Sequence, residues 1–331
     1  MTEQQPIGSG FSATSTTADV IAGIDLTGKT AIVTGGYAGL GLETARVLAA
    51  AGADVLVPAR DRAKAERNLA GITGVRLAAM DLTDPTSIAR FAADFLAEGK
   101  ALDILINSAG VMAIPDLQRD GRGHEQQFST NHLGHFHLTT ALLPALRRAG
   151  VAGGARVVSV SSWGHRFSPV VFDDIDFERR AYDRWAAYGQ SKTANALFAV
   201  ALDAREQANG IRAFAVHPGG IRTDLSRHLD AETVKLFDIR DAQGNPITDP
   251  ARGIKTVPQG AATQVWCATN PKLAGRGGVY CEDVEVAGIV PPDERSGWDM
   301  SNLGRYHGVM PHAIDRDAAD RLWRVSETMV A

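Results

Sequence analysis

Apolar positions along the chain switch repeatedly between strand-like and helix-like spacing. "KTAIVTGG" (29–36) is a short β-branched run that ends at glycine. "LGLETARVLAAAG" (40–52) then places Leu42, Ala45, Val47, Leu48 and Ala49 at helical intervals, and Gly52 stops it. The rhythm continues with a strand at 53–60, a charged helix at 61–71 and a strand at 75–82. A helix at 84–99 opens on Asp84 as cap with Pro85 in its first turn, and a strand follows at 101–110. A long helix within 121–149 and a strand at 155–162 come next. After an insertion there is a helix at 183–208, a strand at 211–220, a short strand near 277–281 and a terminal helix, "DAADRLWRVSETMV".

Strands that alternate with helices pair in parallel, and near-continuous apolar strands have both faces covered. The expected fold class is therefore α/β: a single Rossmann-type, doubly wound parallel sheet of about seven strands flanked by helices. No repeat or linker divides it. Residues 1–25 read as a flexible N-terminal extension, 26–290 as one domain, and 291–331 as a tail with a terminal helix. The stretch at about 222–260 is polar and broken by prolines, and reads as a substrate loop.

Composition narrows the function. With 331 residues, 44% hydrophobic, the chain can bury a sizeable core. The formal net charge is −4 with no basic cluster, which argues against nucleic acid as a partner. Cys267 and Cys281 match no metal spacing, and two buried free thiols in a reducing compartment are expected. The first ~25 residues lack the basic and apolar regions of a secretory signal. No run approaches the ~18 apolar residues of a membrane span. A soluble cytoplasmic protein is the expectation.

"TGGYAGLG" (34–41) joins the first strand to the first helix. In that place backbone N–H groups and the helix N-terminus can face a pyrophosphate that side chains would block. Gly35 permits the turn, Gly39 the close approach, and Gly41 the helix–sheet contact; Tyr37 and Leu40 complete the candidate cofactor loop. The pattern is T-G-x-x-x-G-x-G, distinct from a P-loop and from G-x-G-x-x-G. An NAD site would set a carboxylate at the end of the second strand for the ribose 2′-hydroxyl. Here Ala59 and Arg60 stand there, and an arginine can bond a 2′-phosphate bidentately. NADP(H) is thus favoured over NAD(H), with Asp61 starting the next helix.

"YGQSK" (188–192) places Tyr188 and Lys192 on one helix face. A phenol titrates near 10, and a nearby ammonium favours its ionised form. The pair makes a general acid/base, and the lysine has donors left for a ribose hydroxyl. "VVSVSS" offers Ser161 and Ser162 at a strand end, "NSAG" (107–110) closes the fourth strand, and "TNHLGHF" (130–136) lies in the long helix.

Taken in order, "TGGYAGLG", "NSAG", "TNHLG", "VSS", "YGQSK" and "HPGG" make residues 26–285 similar to the single-domain short-chain dehydrogenases/reductases. "PARD", "NHLGHFHLT", "VSSWGH", "YGQSKTANALF", "HPGGIRTDL" and "LWRVSE" most resemble its retinol-dehydrogenase-like and WW-domain-oxidoreductase-like branch, although no WW domain is present. The resemblance implies an oxidoreductase acting between a carbonyl and an alcohol. Tyr188 would move the proton, Lys192 would depress its pKa and grip the nicotinamide ribose, and Ser162, last of its run, would bond the carbonyl oxygen. Asn131 would hold a water through its helix position. Asp81 and Leu82 would meet the adenine, and Asn107, Ala109 and Gly110 the adenine-ribose side. Pro218, Gly219, Ile221 and Thr223 would lie by the nicotinamide. "NSAG" departs from the usual N-N-A-G, and the gap from Ser162 to Tyr188 is long, as in this branch. Pairing through the helices that hold Asn131 and Tyr188 would give a homodimer or homotetramer, with the state varying within the branch.

Other features carry blander readings. His132, His135 and His137 are read as packing or interface residues rather than metal ligands. His165 reads as a loop residue or part of the substrate mouth, and His217 as a buried strand end. Trp298 and Trp323 should pack the tail onto the body. Phe167, Val170, Val171, Phe172, Leu225, Leu229 and Phe237 suggest an apolar pocket for a lipophilic or aromatic carbonyl. A sugar-nucleotide epimerase would need T-G-x-x-G-x-x-G, which is missing. A non-catalytic NADP sensor or scaffold would be expected to have lost part of the Asn131, Ser162, Tyr188 and Lys192 set, which is complete.

Overall fold

A computed structural model describes residues 2–223, 225, 227, 243, 247–294 and 307–331. Eight strands form one sheet in the order β3-β2-β1-β4-β5-β6-β7-β8. These are β1 (Thr30–Val33), β2 (Asp54–Ala59), β3 (Val75–Ala79), β4 (Ile104–Asn107), β5 (Ala155–Val160), β6 (Ile211–His217), β7 (Val279–Glu282) and β8 (Glu285–Val286). The first seven pair in parallel, as their apolar sequences require. The two-residue β8 is antiparallel to β7 and too short to have shown a period.

Strand alternation feeds two cores. Ile32, Leu56, Leu105 and Val157 face one side, and Val33, Val55, Ile106 and Val158 the other. The first side is covered by α4 (Pro85–Ala97), α6 (Gly134–Ala152), α7 (Arg184–Glu206) and the tail helix α9 (Arg316–Val330), through Phe91, Leu142, Leu197 and Trp323. The second carries α2 (Gly39–Ala50) and α8 (Val257–Thr269), through Leu48, Val265 and Trp266. Strand order reverses between β1 and β4, and sheets of this kind bind ligands in the crevice at such a switch point. On α3 (Arg62–Leu69) Asp61 accepts from the Lys64 N–H, and Asp84 caps α4, both as the sequence suggested. Among the described residues no helix is long and apolar enough to cross a membrane. Cys267 and Cys281 are buried and unbridged.

From residue 2 onward the stretch 1–25, expected as a flexible extension, makes specific hydrogen bonds to the body of the fold. The Gln4 amide donates to the carbonyls of Tyr280 and Ala287 and accepts from the Tyr280 N–H, so it docks on the β7–β8 edge. Glu285 accepts from the N–H groups of Ile7 and Ser9. A capping box of Thr16 and Asp19 then starts α1 (Thr17–Ile21). Thr17 bonds the buried Glu43 of α2. Polar ties of this kind leave no hydrophobic period to read.

The long helix expected within 121–149 begins as α5 (Gln126–Phe128) and passes through a π-helical turn at Ser129–Leu133 before α6. Fully buried Glu125 starts it, accepting from the N–H groups of Gln127 at 2.9 Å and Phe128 at 2.7 Å. Burial, with Asp176 close by, pushes its carboxyl up to about 7 against the pull of those two bonds. A carboxyl whose pKa is raised on folding contributes most below its ordinary value and loses that contribution as pH rises through the folded one. Glu125→Gln should therefore gain on the parent, by on the order of 2 kcal/mol, as pH rises from about 5 to about 8. Denaturant unfolding at both pH values measures this; a pH-independent difference would show that Glu125 ionises normally.

Candidate active site

A cleft of about 410 Å³ opens at the carboxyl ends of the central strands. Of the residues singled out in the sequence, its walls include Gly35, Tyr37, Gly39, Leu40, Gly41, Arg60, Asp81, Leu82, Ala109 and Gly110. Ser161, Ser162, Phe167, Tyr188, Lys192, His217, Pro218, Gly219, Ile221, Thr223 and Leu225 line it as well. Asn107 and Asn131 do not line it.

The glycine loop is tight for steric reasons. Gly35 has φ +66°, and a Cβ there would lie 3.0 Å from the Ala109 Cα. A Cβ on Gly41 would fall 2.4 Å from the Gly35 carbonyl oxygen. Gly41 thus packs the start of α2 against its own loop rather than against the sheet, which corrects the expectation. No side chain caps α2, and its first residues Gly39, Leu40 and Gly41 line the cleft, where uncapped N–H groups can receive an anion. Arg60 is largely exposed at the end of β2, with Asp81 3.8 Å from its guanidinium.

Asn107, expected to contact cofactor, turns inward from β4 and donates to Thr139 on α6 at 3.1 Å. Thr34 does the work at that strand end. Its hydroxyl oxygen accepts from the N–H groups of Ser108 (2.9 Å) and Ala109 (3.0 Å), fastening the β4 loop to the β1 loop. His135 continues the chain: Nδ1 donates to the Asn131 carbonyl at 2.9 Å, leaving Nε2 to accept from Thr34 at 2.9 Å. The Asn131 side chain is spent on the Val111 N–H, the Val111 carbonyl and the Ser191 hydroxyl. It therefore frames the cleft through its neighbours. His132 packs among Phe128, Phe136 and Phe198 and meets Ser326 of the tail helix at 2.7 Å. Trp323 stacks on Phe198, as expected of the tail.

Helix α7 carries the tyrosine and lysine. Asp183 caps it through the N–H groups of Trp185 and Ala186, and every residue from Ala187 to Asp203 is buried. Lys192 Nζ donates to the Val160 carbonyl at 2.9 Å and lies 5.6 Å from the Tyr188 ring centre. A Cβ on Gly110 would face the Asn131 Oδ1 at 3.0 Å and Lys192 Nζ at 3.7 Å, so these groups share one wall. Ser161 turns away and donates to the Lys192 carbonyl at 2.7 Å. Ser162 accepts from the Gly164 N–H at 3.0 Å, which keeps its own proton for another acceptor.

Burial governs both titrating groups. It pushes the Tyr188 phenol up to about 12, with the Ser162 hydrogen bond pulling the other way, and lowers Lys192 to about 7. The expected depression of the phenol by the lysine is overridden in the protein by itself, because neither charge is solvated.

The outer wall is aromatic. Trp163 and Phe167 meet edge to face at 5.0 Å, Phe167 and Trp185 lie 5.6 Å apart, and Trp185 and Tyr188 6.3 Å apart. Both tryptophans escaped the sequence reading, although Trp185 stands three residues before Tyr188 on one helix face. Of the expected pocket residues, Phe167 and Leu225 line the cleft. Val170 belongs to the core, and Phe172 lies under Arg321 of the tail helix. Leu229, Phe237 and Trp298 fall outside the described residues.

A parallel sheet with a glycine loop beside a buried tyrosine–lysine pair is an arrangement suited to a dinucleotide-dependent oxidoreductase. Residues 29–233 match the short chain dehydrogenase family. A "Probable oxidoreductase" of Streptomyces antibioticus is 46% identical, over 91% of this chain and 97% of its own. Retinol dehydrogenase 12 of Homo sapiens is 38% identical over 92% and 86%. A crystal structure of a putative uncharacterized protein from Mycobacterium paratuberculosis superposes with a TM-score of 0.68 at 32% identity, covering 94% of this chain and 96% of that one. The chain belongs to the short-chain dehydrogenase/reductase family, in its retinol-dehydrogenase-like branch, and is an oxidoreductase acting on CH–OH or C=O groups.

The family uses a nicotinamide cofactor, and Gly35, Gly39 and Gly41, where a Cβ would meet neighbouring atoms within 3.1 Å, are the residues that would hold its pyrophosphate. Gly41→Ala should force the loop off the helix and weaken NADPH and NADH alike, by about tenfold or more, equivalent to at least ~1.4 kcal/mol. Fluorescence titration reads this; unchanged affinity for both would show that the loop does not hold the pyrophosphate.

Proposed function

We propose that the chain interconverts an apolar or aromatic aldehyde or ketone and its alcohol with NADP(H), using Tyr188 as the general acid/base. The observation that carries this reading is the meeting of Ser162, Tyr188 and Lys192 in one cleft beneath the wall of Trp163, Phe167 and Trp185. The cofactor, when bound, supplies or accepts the hydride. The Ser162 hydroxyl donates to the carbonyl oxygen and orients it. The Tyr188 phenol, kept protonated by burial, delivers its proton to that oxygen as negative charge develops. Lys192 offers its remaining donors to the cleft and stabilises the phenolate left behind. The non-catalytic alternative gains no support from a cleft in which these groups converge.

The preference for NADP(H) rests on the end of β2. Arg60 lines the cleft there, and Lys64 in the first turn of α3 lines it too. Asp61, the carboxylate nearest that strand end, is committed to capping α3. A cytoplasmic setting is proposed with the free thiols in mind.

Tyr188→Phe should lower kcat by about 10²-fold or more while cofactor affinity holds. Retention of full turnover would sink the acid/base assignment. Arg60→Ala should raise the NADPH KM by about tenfold or more, as loss of a charged hydrogen bond implies, and leave NADH nearly unchanged. Equal effects on both cofactors would remove the argument for a 2′-phosphate site.

A further inference from the structure

The rung that would follow β5 on the sheet is made by a side chain. The Ser161 N–H donates to the Val216 carbonyl at 2.8 Å, continuing the β5–β6 pairing. The strands then part. Two residues on, the Trp163 N–H donates to His217 Nδ1 at 3.0 Å, and the Gly219 N–H approaches the same nitrogen at 3.4 Å.

The other end of that peptide is held as well. The Ser162 carbonyl accepts from the His165 N–H at 3.1 Å, and His165 Nδ1 stands 2.7 Å from it. His165 Nε2 accepts from the Met310 N–H at 3.0 Å. A backbone N–H can only donate, so the neutral ring carries its proton on Nδ1 and gives it to Ser162. Burial holds both imidazoles uncharged, His165 down at about 3 and His217 well below its ordinary value.

We propose that His165 and His217 are positioning residues that clamp the Ser162–Trp163 peptide between two buried imidazoles, and that His165 ties this clamp to the carboxy-terminal segment 307–312. This rests on the reading of Ser162 and Tyr188 given above. The consequence is geometric. The Ser162 hydroxyl is oriented by the Gly164 N–H, and a Cβ on Gly164 would lie 2.7 Å from the Tyr188 ring. Movement of this turn changes how serine and tyrosine face one another. The segment 307–312 is bound to the same turn: Arg166 donates to the carbonyls of His307 and Gly308, and His312 Nε2 lies 3.1 Å from the His165 carbonyl. The tail is thus part of the foundation of the cleft.

Three variants separate the links. His165→Leu removes the ring's bonds to Ser162 and Met310 together with the approach of the Tyr280 hydroxyl to Nδ1 at 3.3 Å, and His165→Asn can restore the donor to Ser162 alone. Met310→Pro deletes only the N–H that His165 accepts, at a residue whose φ of −69° suits proline. Met310→Ala serves as its side-chain control. His165→Leu should lose about tenfold or more in kcat, with cofactor Kd and substrate KM within about twofold, as misplacement of a reacting group does. His165→Asn should recover much of that loss, and Met310→Pro should fall about threefold or more below Met310→Ala. Amide hydrogen exchange at Trp163 and Gly164 should quicken in His165→Leu and Met310→Pro.

The proposal is overturned by parental kcat in His165→Leu, by His165→Asn no better than His165→Leu, or by losses confined to KM and Kd. If His165→Leu does not fold, the Met310 pair decides. Tyr188→Phe is assayed in parallel. Should it keep full turnover, the catalytic reading falls separately, and unchanged exchange at Trp163 and Gly164 would then overturn the clamp.

Discussion

An ammonium group held out of water at Lys192 is the constraint on which the site depends. Burying such a charge is costly unless its donors are met, and here burial brings the group down to about 7. One donor goes to the Val160 carbonyl, which the Asn195 amide also uses. The wall by Gly110 and Asn131 is where its other donors can turn. A lysine so placed favours a ligand that brings hydroxyl groups or negative charge, and repels one that brings only hydrocarbon. Holding it there requires a helix that cannot shift. Helix α7 meets that need because it is covered on all sides, by β5 and β6, by the turn at Trp163–Phe167 and by the tail helix. Tyr188, one turn earlier, inherits the same rigidity.

Much of this was legible in the chain. The strand–helix rhythm gave the sheet, and the order of its motifs gave the glycine loop and the tyrosine–lysine pair. What escaped depends on depth and on distant partners. Spacing of i and i+4 brings Lys192 beside Tyr188 but says nothing of how little water reaches them, so it misjudged the direction of the phenol's shift. Asn107 looked like a cofactor contact because its motif closes the fourth strand. Strand alternation turns it instead toward Thr139, on the face opposite Ile106. Val170 and Phe172 read as pocket because they are apolar, yet the core and α9 cover them. Gln4 and Glu285 tie the first residues to the sheet edge through amide and carboxylate groups, which no hydrophobic period reveals.

The histidines show the same limit from another side. Read along the chain, His165 and His217 are single polar residues near strand ends, and His135 is one of three histidines in the long helix. In the fold each is buried and uncharged; His165 and His217 meet backbone groups where β5 and β6 part, and His135 meets the Thr34 hydroxyl and the Asn131 carbonyl. An imidazole suits that task because its two nitrogens can accept and donate at opposite edges. His135 ties the β1 and β4 loops to Asn131, while His165 and His217 grip the peptide after Ser162. The loops at the carboxyl end of the sheet are thus held by side chains where backbone pairing runs out.

That arrangement ties specificity to chemistry. Trp163 follows Ser162 directly, and Trp185 precedes Tyr188 by three residues on one helix. The aromatic wall that a substrate would meet therefore rises from the same two segments that hold the reacting hydroxyls. Phe167 bridges the two tryptophans, and Gly189 allows its approach: a Cβ there would fall 2.7 Å from the Phe167 Cβ. Reshaping this wall would press on the turn that orients Ser162 and on the first turns of α7. Leu225 lines the cleft from a separate part of the chain. On the reaction proposed above, a change at Trp163 or Trp185 would alter binding and proton transfer together.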